Sequence, residues 1–79
     1  MSPTVFRHRN ARFHFFTREE PRMHIHVQTP DGEAKFWMEP KIELAKSIKL
    51  KPKELNRLRK IIEHHQEEII SEWNRHHKR

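Results

Sequence analysis

Cysteine is absent from this 79-residue chain, which removes disulfides and thiolate metal sites together. Glycine occurs once, tyrosine not at all, and no apolar run approaches the roughly 20 residues that span a bilayer. Apolar residues are scarce, at 33% against 35% charged, close to the composition of chains that stay disordered. Those present recur periodically, however, and periodicity marks a folded chain. The expectation is one small domain over residues 1–79 with 77–79 as a disordered tail. With no covalent staple, such a domain gains from a partner chain or from self-association. The N-terminus lacks the apolar centre of a signal peptide, so the chain reads as cytoplasmic with no membrane contact.

Charge is uneven. The formal net charge is +6, and the first eighteen residues hold four arginines and no acid. Residues 41–60 hold eight bases against Glu43 and Glu54, while the acids gather in between. Two basic patches point to an anionic partner, nucleic acid first among them.

From Pro21 to Gln28, Met23, Ile25 and Val27 alternate with His24, His26 and Gln28, the period of a half-buried strand. Similar alternation predicts strands at about 4–8, 11–17, 23–29 and 33–38. Arg9-Asn10 is the first turn, because asparagine tolerates left-handed conformations, and Thr29-Pro30-Asp31-Gly32 is the third. Pro40 suits the first turn of a short helix over about 40–47. A long helix follows over about 53–76, where Leu55, Leu58, Ile62, His65, Ile69 and Trp73 form one stripe. Ile61 and Ile70 fall off that stripe, either as exposed residues or as the seam of a homodimer. The fold class is α+β: a small antiparallel sheet of three to four strands with helices on one face.

The other face is then open and bears Arg12, His14, Phe16, His24, His26, Lys35 and Trp37. Cations interleaved with rings suit single-stranded RNA, phosphate on the charges and bases on the rings. Arg7, Lys49 and Lys51 add to the nucleic-acid-binding set. The same composition also suits a partner protein.

The chain resembles a bacterial family, domain of unknown function 4160. The likeness lies in Pro3-Thr4-Val5-Phe6, Phe13-His14-Phe15-Phe16, Glu20-Pro21-Arg22-Met23-His24-Ile25-His26-Val27 and Gly32-Glu33-Ala34-Lys35-Phe36-Trp37. It continues in Leu44-Ala45 and Glu72-Trp73-Asn74, and so covers nearly the whole chain. Arg22 departs from the family pattern, where a second proline is expected. The resemblance implies a small bacterial cytoplasmic protein paired with a neighbour-encoded small protein, in modules that look like toxin–antitoxin systems. It implies no established activity and no cofactor.

Three functions follow. An RNA-directed toxin, a metal-independent ribonuclease, would use His24 and His26 as general acid and base, with Lys35 or Arg12 steadying the phosphorane charge. A binding module, for nucleic acid or protein, would use the same face without chemistry. A metal site would combine His24, His26 and an acid such as Glu20 or Glu33.

Overall fold

Period-two alternation builds five strands in the computed structural model, which describes residues 4–15 and 21–76. They are β1 (Thr4–His8), β2 (Ala11–His14), β3 (His24–Gln28), β4 (Glu33–Trp37) and β5 (Glu43–Ile48). Helices α1 (Pro52–His64) and α2 (Gln66–His76) follow. The strands pair antiparallel in chain order, β1-β2-β3-β4-β5, giving a meander. The class is α+β, as the alternation implies. No helix among the described residues is long and apolar enough to cross a membrane.

The inner sheet face carries Phe13 beside Val27 and Ile25 beside Phe36, all buried. Leu58, Ile61 and Ile62 of α1 and Ile69 and Trp73 of α2 close over it. Each fully buried side chain of this size contributes about 1.5–3 kcal/mol, so loss of one helix face unfolds a domain this small. Phe6 lies parallel to Phe13, with ring centroids 4.4 Å apart, and to His65 at 3.9 Å. This stack ties β1 and β2 to the junction of the helices.

Three elements differ from expectation. The segment expected as a helix over about 40–47 is strand β5, and Pro40 follows a cis peptide in the turn before it. Leu44 and Ile48 stand four apart, which a helix also satisfies. A helix of eight residues is marginal in water, whereas a strand here satisfies the edge of β4. A bulge between Lys35 and Phe36 of β4 leaves Ala45 as the extra residue on β5.

The long helix expected over about 53–76 is interrupted at His65. His65 takes φ −107° and ψ 18°, its ring is held on Phe6, and its Nδ1 meets Glu68 Oε1 at 2.9 Å. Ile61 is buried in this protein's own core, so it is no seam residue for a homodimer. Residues 16 and 17 of the expected second strand, and the expected tail 77–79, lie outside the described residues.

In the first turn it is Arg9, not Asn10, that adopts the left-handed conformation, at φ 57°. The third turn forms as expected. Thr29 Oγ1 accepts the amides of Asp31 and Gly32 at 3.1 Å, and the Thr29 amide donates to the Gly32 carbonyl at 2.8 Å. Gly32 is required by space: a Cβ there would lie 2.1 Å from the Ile48 carbonyl oxygen where β5 ends. Gly32→Ala should therefore cost about 1–3 kcal/mol as β5 is pushed off. Chemical denaturation checks this, and an unchanged midpoint would show that the close approach is not maintained.

Candidate nucleic-acid interface

Residues of the outer face fall into rows across the strands. Register places His14, His26, Lys35 and Lys46 side by side on β2, β3, β4 and β5. Directly opposed Cβ atoms in such pairs lie about 4.5–5.5 Å apart. One neighbouring row holds Arg7, Arg12, Gln28 and Glu33, and the other holds His24 and Trp37. Lys35 against Lys46 is a like-charge pair, an arrangement that a bound anion relieves.

The face is not uniformly open. His24 is 0% exposed and His14 4%, whereas His26, Lys35 and Trp37 are half-buried. Both histidines of the His24-x-His26 pair lie on the outer face, as expected, but His24 is enclosed there rather than open to solvent. β3 begins buried on both faces, because Trp73 of α2 reaches the corner where β2 ends and β3 begins. The Trp73 ring lies 5.2 Å from that of His24 and 5.4 Å from that of Phe15. His24 also meets His26 edge to face at 5.0 Å and Trp37 at 5.7 Å.

The Nδ1 of His24 lies 2.6 Å from the Arg22 carbonyl, which only accepts, so Nδ1 carries the proton. Such a ring is oriented and enclosed. It can position His26 but does not itself reach a substrate.

Around Trp37 two cations gather, with Glu43 of β5 paired opposite the indole. The Arg22 guanidinium lies 4.1 Å from the ring centroid and the Lys35 ammonium 4.5 Å. Arg22 Nε donates to the Glu39 carbonyl at 3.0 Å, and Glu39 Oε2 accepts the Met23 amide at 3.1 Å. The guanidinium is thereby held in place by one of its five donors, and a planar fork so held suits phosphate. Exposed cation–π contacts contribute about 0.5–1 kcal/mol each, enough to order the side chains but not to lock them.

Of the residues expected from sequence, the structure brings together His14, His24, His26, Lys35 and Trp37, with Arg12 and Arg7 in the adjoining row. Arg12 Nε donates to Thr4 Oγ1 at 2.6 Å. Lys49 and Lys51 belong to the connection from β5 to α1 and do not join this group. Phe16 and Glu20 lie outside the described residues. Among the described residues no group of three or more histidine, aspartate or glutamate side chains is placed to hold a metal ion, and Glu33 stands two residues from the His26–Lys35 row.

Sequence reasoning passed over Lys46 and Arg22. The first lay in the segment expected as helix. The second appeared only as a departure from a family pattern, although its place two residues before His24 put it beside the strand's start.

A small α+β protein with one cationic, ring-bearing sheet face is the class that fold and surface define. The chain belongs to the family described as Domain of unknown function (DUF4160), whose model matches residues 10–74. No curated protein and no solved structure matches it.

The burial difference has a direct consequence. His24→Ala empties a buried site and strands the Arg22 carbonyl, and should cost about 2–4 kcal/mol. His26→Ala should cost less than about 1 kcal/mol. Thermal melts of the two variants check this, and equal losses would give both histidines the same structural duty.

Proposed function

We propose that this protein binds RNA through the outer sheet face, as the basic member of a toxin–antitoxin-like pair in the cytoplasm. The observation that carries the reading is the convergence of Arg22 and Lys35 on Trp37, at 4.1 and 4.5 Å, beside His26. Two cations on one indole, with His26 in the adjoining row, offer phosphate contacts and a ring edge within a single nucleotide's reach. Lys46, one strand further, extends the cationic line. The second half of the reading, a neighbour-encoded small protein as partner, rests on what the family resemblance implies.

Binding is favoured over cleavage because His24 is enclosed and its Nδ1 proton is committed to the Arg22 carbonyl. A general acid and a general base must both reach the reacting atoms. Only His26 of the pair has exposed surface. A ribonuclease reading would therefore rest on His26 and Lys35, with His24 positioning His26 across their 5.0 Å edge-to-face contact.

The test is titration of a fluorescent oligoribonucleotide at several salt concentrations. Contact with three phosphates gives a log–log slope of about −2 for a single strand. Arg22→Ala, Lys35→Ala and Lys46→Ala should each flatten the slope by about 0.7, while Arg57→Ala on α1 should not. Binding that ignores salt, or no binding at low ionic strength, overturns the proposal. RNA cleavage abolished by His26→Ala would instead establish the catalytic reading.

A further inference from the structure

Among the described residues, strand β5 is the end of the sheet and has no neighbour on its far side. Every other residue of such an edge turns its amide and carbonyl outward, ready to pair with an added strand. Beside this edge, between β5 and α1, runs a groove of about 440 Å³. Phe36, Ile42, Leu44 and Leu55 supply its apolar lining, with Lys41 and Arg59 at its margin. Leu44 is 41% exposed and Ile48, on the opposite face of the strand, 50%. Both are uncovered apolar residues on one short strand.

We infer that this edge and groove receive an extended acidic segment of a partner polypeptide, added as a sixth strand antiparallel or parallel to β5. Backbone pairing would come from the edge. Alternate apolar side chains of the added segment would enter the groove over Leu44 and Leu55, and the intervening acids would meet the lysines.

Charge selects this occupant. From residue 41 to residue 53 the chain carries five lysines and the single acid Glu43. Two copies of this segment side by side would bring ten lysines and two glutamates to one seam, and such an excess of like charge disfavours self-pairing. Lysines and a bulge are also how natural edges repel neutral strands. The same lysines admit a strand of opposite sign. This site lies at the sheet edge and inner side and shares only Lys46 with the RNA-binding row of the outer face, so its backbone and groove contacts do not depend on the RNA reading.

Selection of a displayed library of random twelve-residue peptides on the immobilised protein tests the inference. The expected consensus alternates Glu or Asp with Val, Ile or Leu. A selected peptide should shift and protect the backbone amides of Glu43–Ile48 in NMR spectra. Leu44→Asp, at an exposed position that folding tolerates, should weaken its binding at least tenfold, and Lys35→Ala on the outer face should leave it unchanged. No consensus, a basic consensus, or peptide shifts confined to the outer face would overturn the inference. So would a dimer of the protein alone whose β5 amides are protected, since that would name a second copy as the occupant.

Discussion

The fold depends on where the Trp73 ring sits. With so few apolar residues, the sheet needs α2 to cover it, and α2 is anchored at its far end by one indole. That ring touches Phe15 just past β2 and His24 at the start of β3. It therefore joins the ordinary core to a second buried zone on the other side of the sheet. At the near end of α2 the Phe6–His65 stack performs the corresponding task. Together with fully buried Ile69, these two aromatic contacts set the direction of α2.

The site inherits its character from that constraint. Because Trp73 encloses His24, the histidine pair splits into one oriented, buried ring and one accessible ring. The Arg22 carbonyl that holds His24 belongs to the residue whose guanidinium covers Trp37. Fold and candidate site thus share a short piece of chain, from Arg22 to His26. Substitutions there act on stability and on binding together, which is why variants further along the row, at Lys35 and Lys46, separate the two.

The sequence was most legible where two signals agreed. β1 to β4 combine period-two alternation with turn residues, and Met23-to-Gln28 alternation placed His24 and His26 on one side correctly. It said nothing of their unequal burial, because that comes from Trp73, about fifty positions away. Residues 40–48 misled because Leu44 and Ile48 stand at helical spacing and Pro40 opens helices as readily as turns. Pairing with β4 decided the matter, a nonlocal effect that no local window contains. Arg9 took the left-handed position beside Asn10, again because hairpin twist rather than residue preference governs that site. The helical stripe was readable, but not the interruption at His65, which answers to Phe6.

The claim that Trp73 and His24 form the joint of the molecule is tested most directly by a double-mutant cycle. His24→Leu, Trp73→Leu and the double variant remove the rings while keeping apolar volume, and chemical denaturation gives the three stabilities. Residues in contact couple by about 0.5–3 kcal/mol, and the aromatic pair alone accounts for about 0.5–1.5 kcal/mol. The account predicts a stabilising coupling of about 1 kcal/mol or more. Additivity within about 0.3–0.5 kcal/mol, the behaviour of distant sites, would contradict it.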